Sequence, residues 1–171
     1  STQTITSRRL GEEKYSGCGQ ALQHGHVIAF VSGIPITLLL YYYLPDILKS
    51  SISEKNEHLL PYAIDYSSFV VLSIYFNYVS FVFQGFYNGI RMTKIHMKVM
   101  ITANLINVYL NAGLIYGSEN IEVFLGNYNL ESLSFLWRIV DFPEMHVKGA
   151  GLATMIASIV MSLLYFIFLF K

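Results

Sequence analysis

The chain has 171 residues, of which 54% are hydrophobic and only 13% are charged. This charged share is about half that of a typical soluble domain, so a water-facing globular protein is excluded. Basic and acidic residues balance at 11 each, and charge therefore gives no indication of nucleic-acid binding. The single cysteine, Cys18, excludes an internal disulfide. These features together predict an integral membrane protein.

Four apolar stretches are each long enough to cross a bilayer core, which takes about 20 helical residues. They lie at about 27–48, 59–87, 97–116 and 147–170. The stretches are too long for strands and lack period-two alternation, and a backbone in lipid must satisfy its own hydrogen bonds. The predicted fold is therefore all-α, a polytopic transmembrane bundle of about four spanning helices in the cell inner (plasma) membrane.

Charge alternates from one connecting segment to the next. Basic residues are in excess in 1–14 and 88–98, and Lys171 closes the chain, whereas one arginine in 118–146 stands against five acids, Glu119, Glu122, Glu131, Asp141 and Glu144. The positive-inside rule predicts that the basic segments are cytoplasmic and that 46–58 and 118–146 are external. Within the external segment, the spacing of LESLSFLWRIV predicts a short interfacial helix with Trp137 near the headgroups.

Three of the predicted spans carry polar side chains that fall on one face when each residue is rotated by about 100° around the helix axis. The stripes consist of Tyr66, Ser73, Asn77, Ser80 and Gln84 on the second span, Asn104, Asn107 and Asn111 on the third, and Gly151, Thr154, Ser158 and Tyr165 on the fourth. One interpretation is a polar cavity for a cation, a proton or a polar solute. The other is that these groups hydrogen-bond across helix interfaces and hold the bundle together.

The sequence gives no support to an enzyme or a metalloprotein. The five histidines lie at span ends or in loops without a metal-ligand pattern, and no phosphate loop or nucleophile elbow occurs. Asp65 lies in the first turns of the second span, where a helix-capping role near the outer interface is expected. No cofactor is therefore predicted.

Three stretches together resemble the multidrug and toxic compound extrusion (MATE) family of cation-coupled antiporters. They are TQTITSRRLGEEKYSGCGQAL at 2–22, NGIRMTKIHMKVMITANLINVYLNAGLIYG at 88–117 and FPEMHVKGAGLATMIAS at 142–158. They are similar to the end of the family's second helix, to its cytoplasmic loop and fifth helix, and to the start of its sixth helix. The resemblance implies a partial amino-terminal lobe, residues 1–171, of a two-lobe carrier with twelve helices, so that the remainder of the protein is one of its partners.

The resemblance also implies site residues. Asn107 matches the asparagine of a fifth-helix pair, and Thr154 matches the threonine of the sixth-helix signature. Asn111 stands where the family often has aspartate, which removes a titratable group and argues against proton coupling at this position. Asn88 and Arg91 also depart from the family pattern. The predicted cation and substrate cavity consists of Asn107, Asn111 and Thr154, together with Asn77, Gln84 and Asn104 from the stripes.

The expected function is export of amphipathic organic cations or other xenobiotics, driven by sodium or protons. Two alternatives remain. A lipid-linked saccharide flippase of related fold predicts a strongly cationic cavity, and a structural membrane subunit predicts polar stripes buried in dry helix contacts. The expected partners are small organic cations, sodium or protons, and the lipid bilayer.

Overall fold

The computed structural model describes residues 1–128 and 131–170, apart from the side chains of residues 54 and 131. Among these residues there are only helices and connecting turns, and no strand. The elements are α1 (Thr2–Gly11), α2 (Tyr15–Ser51), a 3₁₀ turn (Glu54–Leu59), α3 (Leu60–Gly89), α4 (Thr93–Asn127), a second 3₁₀ turn (Glu131–Leu133), α5 (Phe135–Arg138) and α6 (His146–Leu169).

Four of these helices, α2, α3, α4 and α6, are long and apolar enough to cross a membrane. The predicted all-α polytopic bundle is therefore confirmed. Helix α2 begins at Tyr15 rather than near residue 27, because helical backbone continues through a polar stretch that the hydropathy pattern does not mark as membrane-spanning.

The segment predicted as the loop 118–146 is in part helical. Helix α4 continues to Asn127, past a sharp break at Gly117, where φ is +75° and ψ is 157°. Only glycine adopts such angles without strain, so helical backbone resumes in a new direction beyond it. The predicted short helix is present as α5, while the first residue of the predicted stretch, Leu130, lies outside the described residues.

Helix α6 lies at the centre of the bundle, with α3 and α4 packed along it and α2 packed on α3. Two glycines let the backbones approach closely. A Cβ added at Gly149 would lie 2.2 Å from the carbonyl oxygen of Leu114 in α4, and one at Gly151 would lie 2.6 Å from that of Tyr66 in α3. Small residues at such contacts are the usual means of tight helix association in membranes.

The basic turns meet at one end of this bundle. The Ser7 hydroxyl of α1 donates to the carbonyl oxygen of Gly89 at the end of α3, at 3.3 Å. The Tyr87 hydroxyl of α3 donates to the carbonyl oxygen of Tyr165 in α6 at 3.1 Å, and the Tyr165 hydroxyl pairs with the His96 ring of α4. Segments 1–14 and 88–98 and the end of α6 therefore lie together, an arrangement we call the basic end.

The turn between α1 and α2 is stabilised by charge. Glu12 pairs with Arg8 at 3.0 Å and with Lys14 at 3.1 Å. The hydrogen bond from Lys14, followed by that from Arg8, lowers the pKa of the Glu12 carboxyl below its usual range. These pairs are solvent-exposed, so they fix the shape of the turn more than they add stability.

Candidate functional site

A cleft opens between α3 and α4, with α6 as its floor. Helix α4 packs on α6 at Gly149, and α3 packs on α6 at Gly151, which lies on the opposite side of the helix. The two wall helices contact each other only sparsely. At the end opposite the basic turns, the cleft widens into a cavity of about 550 Å³. Its lining comes from all three helices and from the segment that precedes α6, namely Tyr66, Ile115, Tyr116, Glu144, His146, Val147 and Ala150.

Three of the predicted site residues lie one or two helical turns from lining residues of this cavity, on α4 and α6. Asn111 precedes the lining residue Ile115 by one turn of α4, and Asn107 precedes Asn111 by another. Thr154 follows the lining residue Ala150 by one turn of α6. All three predicted residues are half-buried, as expected for side chains at the edge of a cleft.

The structure brings the two asparagines together. The Asn111 amide nitrogen Nδ2 donates to Asn107 Oδ1 at 2.9 Å, so that their amides form one joined unit on α4. Thr154 Oγ1 instead donates to the carbonyl oxygen of Ala150 at 3.0 Å. Within the described residues, no hydrogen bond joins Thr154 to the asparagine pair. Asn104, on the same stripe, is exposed.

The polar stripe of α3 is buried to a greater extent. Asn77 Nδ2 donates to the carbonyl oxygen of Ser73 at 3.0 Å, and Ser73 is buried. Ser80 is also buried, and its hydroxyl has no hydrogen-bond partner among the described residues. Gln84 is half-buried. Two serines of this stripe thus sit in helix contacts, whereas the asparagines of the α4 stripe are exposed or half-buried.

The chemistry of the α4 stripe is that of neutral oxygen ligands. Asparagine and threonine oxygens suit a hard monovalent cation or hydrogen bonds to a polar solute. Among the described residues, no group of three histidine, cysteine, aspartate or glutamate side chains could hold a metal ion.

Sequence reasoning missed the carboxylate and one of the rings at the mouth of the cleft. In the sequence, Glu144 stands out only as one of five acids in the external segment, and Tyr116 only as the end of an apolar stretch. Both lie beside Gly117, whose backbone angles turn α4 at this level. The aromatic-glycine pair at the end of the third apolar stretch was the available signal.

Comparison with known proteins gives one family. The family model described as MatE matches residues 1–112, which include every predicted site residue except Thr154. Neither the curated proteins nor the solved structures contain a significant match. The matched region is about two thirds of the chain and contains the first of the three stretches that carry the sequence resemblance and most of the second, up to residue 112. The chain therefore belongs to the MatE family of membrane transporters.

Proposed function

We propose that this chain forms part of the amino-terminal lobe of a secondary active transporter that exports amphipathic organic cations and other xenobiotics in exchange for sodium or protons. The observation that carries the proposal is the joined Asn107–Asn111 pair on α4, the membrane helix that also contributes Ile115 and Tyr116 to the lining of the cavity. Family membership supports transport in general, and the neutral oxygens of the cleft support a cationic ligand.

The coupling ion would bind at the amide oxygens of this pair, and the Thr154 hydroxyl would have to release the carbonyl oxygen of Ala150 to join them. A monovalent cation held by neutral oxygens needs a counter-charge nearby, and a carboxylate from the remainder of the carrier would supply it. Two-lobe carriers alternate access by rocking one half against the other around such a site. Ion binding at the wall of one lobe would then bias the position of that lobe.

The flippase alternative is less well supported. A pyrophosphate-linked saccharide requires basic side chains in the cavity, because phosphate oxygens carry negative charge. The described residues that line the cavity include Glu144 and one histidine, but neither lysine nor arginine. An anionic headgroup would meet repulsion there.

The structural-subunit alternative requires dry, buried stripes. Ser73 and Ser80 on α3 fit that description, but Asn104, Asn107 and Asn111 on α4 do not, since they are exposed or half-buried. A purely structural role predicts that these three amides are buried in helix contacts, which their exposure does not match. The α4 stripe therefore favours transport over assembly.

The ion-site hypothesis is tested by two substitutions in the complete carrier. We expect Asn107→Ala to reduce the dependence of ethidium efflux on sodium or on a proton gradient, because it removes an amide oxygen from the site. We expect Asn111→Asp to make efflux more pH-dependent, because it adds a titratable group. Efflux from proteoliposomes is measured against sodium concentration and pH.

Asn120→Ala serves as the matched control, because Asn120 is exposed on α4 beyond the Gly117 break and bonds only its own helix, at the carbonyl oxygen of Tyr116. If the asparagine pair is only structural, Asn107→Ala should cost stability, about 0.6 kcal/mol for an average bond of this kind, and leave ion dependence unchanged. That result would refute the ion site.

The membrane orientation is tested by labelling. Because basic segments stay in the cytoplasm, cysteines introduced by Lys94→Cys and Glu119→Cys in a Cys18→Ala background should react with an impermeant maleimide from opposite sides. Both positions are exposed, so access is not limited by packing. Labelling of both from the same side would contradict the proposed four-span topology.

A further inference from the structure

We propose that the cavity at the mouth of the cleft is a vestibule for monovalent organic cations with aromatic groups, in which Glu144 supplies the counter-charge and Tyr66 and Tyr116 supply the contact surface. The inference rests on the proposed function, because it assigns the place where the exported cation is held at this end of the cleft. It adds a binding site that is separate from the asparagine pair.

Backbone contacts fix the position of Glu144. The Gly117 break leaves space for it, since a Cβ added at Gly117 would lie 3.2 Å from both the backbone nitrogen and the Cβ of Glu144. Hydrogen bonds join the segment to α4 on both sides of Glu144. The Ser118 backbone nitrogen donates to the carbonyl oxygen of Phe142 at 3.1 Å, and that of Met145 donates to the carbonyl oxygen of Leu114 at 2.9 Å. The carboxylate is therefore presented from a fixed backbone.

The charge of Glu144 is available to a ligand. Its side chain is 46% exposed, and its ion-pair partner within the described residues is the His146 ring at 3.3 Å, which carries charge only when protonated. By contrast, Glu122 on the same side of the bundle is paired with Arg138. A cation that enters the cavity therefore meets a carboxylate without a permanent counter-ion.

Aromatic rings stand on two walls of the same cavity. Tyr66 belongs to α3 and is 38% exposed, and Tyr116 belongs to α4 and is 59% exposed. The faces of such rings attract cations, most strongly where water is partly excluded. Ile115, Val147 and Ala150 add apolar surface between them. Carboxylate, rings and apolar surface together match an amphipathic cation and disfavour an anion of the same shape.

The size of the cavity agrees with this ligand class. Its volume of about 550 Å³ belongs to an open, shallow space that can admit a small organic ion without enclosing it. The segment 118–146 also carries five acids against one arginine, a net charge of −4 with histidine neutral. Such a potential raises the local concentration of cations at the mouth.

The test compares two ions of nearly equal shape and opposite charge, tetraphenylphosphonium and tetraphenylborate. Equilibrium binding of each is measured on the complete carrier in lipid nanodiscs, and the binding to protein-free nanodiscs is subtracted because both ions also partition into lipid. We expect the phosphonium to bind more tightly than the borate and Glu144→Gln to weaken phosphonium binding about tenfold. We expect Tyr116→Leu to weaken it about threefold and Tyr116→Phe to preserve it, because only the first removes the ring.

Glu119→Gln is the matched control, because Glu119 is exposed in the same acidic segment but does not line the cavity. Equal phosphonium affinity in Glu144→Gln and Glu119→Gln, with unchanged melting temperatures, would overturn the vestibule and leave the carrier function standing. Glu144-dependent binding in a complete carrier that shows no cation efflux would overturn the carrier function and leave the vestibule standing.

Discussion

Gly149→Ala is expected to destabilise the bundle more than the same substitution at any other glycine described here. The new Cβ would lie 2.2 Å from the carbonyl oxygen and 2.6 Å from the carbonyl carbon of Leu114, both backbone atoms that no side-chain rotation can move away. Helices α4 and α6 would have to separate. We expect a loss of about 3 kcal/mol in the free energy of unfolding, at the upper end for overpacked sites.

The measurement is thermal unfolding in detergent, in which such a loss corresponds to a decrease of about 10 °C in the melting temperature. Gly19→Ala is the matched control, because Gly19 lies in α2 with open space around its Cβ position. There, alanine should raise helix stability by up to about 1 kcal/mol. If the two variants melted at the same temperature, the close approach of α4 and α6 would be wrong.

Tyr165→Ala is expected to have an effect of similar size at the basic end. The Tyr165 ring is 1% exposed and is stacked on Phe83 at 5.5 Å and on Tyr87 at 5.8 Å between ring centroids. Its removal leaves a cavity among three helices. Losses of about 3–5 kcal/mol are usual when a buried ring is truncated to alanine.

Two further variants distinguish the contribution of the buried Tyr165 ring from that of its hydroxyl and from the effect of removing any tyrosine side chain. Tyr165→Phe keeps the stacking and removes only the bond to His96, so a loss of about 1 kcal/mol is expected. Tyr42→Ala removes the same side chain type where it is 74% exposed and should change the melting temperature little. Equal melting temperatures for Tyr165→Ala and Tyr42→Ala would contradict the observed core.

The number and type of the spanning helices were predictable, because bilayer thickness imposes a minimum length on every apolar stretch. Helix ends were less predictable. Helix α2 extends to Tyr15 through polar residues, and α4 extends to Asn127 past Gly117. Hydropathy marks only where a helix can lie in lipid, whereas the extensions are held by backbone hydrogen bonds and by packing that the composition does not reveal.

For the candidate site, the sequence predicted which residues share one face of a helix but not which residues of different helices lie together. Helical periodicity placed Asn107 and Asn111 on one face, and their amides are in fact joined. It could not show that Thr154 bonds within its own helix or that Glu144 reaches the same cavity. Contacts between helices depend on their rotation and spacing, which a single-helix pattern does not contain.

The paired glycines of α6 have a consequence for how ligand preference can vary. Gly149 and Gly151 bring the backbones of α4 and α3 against two positions of α6 that carry no side chain. The separation of the two walls is therefore set where each backbone meets α6. Main-chain contacts set this width, so wall residues such as Ile115, Tyr116 and Tyr66 can be exchanged without altering it. Different residues therefore determine the spacing of the helices and the choice of solute. Substitutions among the lining residues can broaden or narrow the range of bound solutes while the helix packing stays the same.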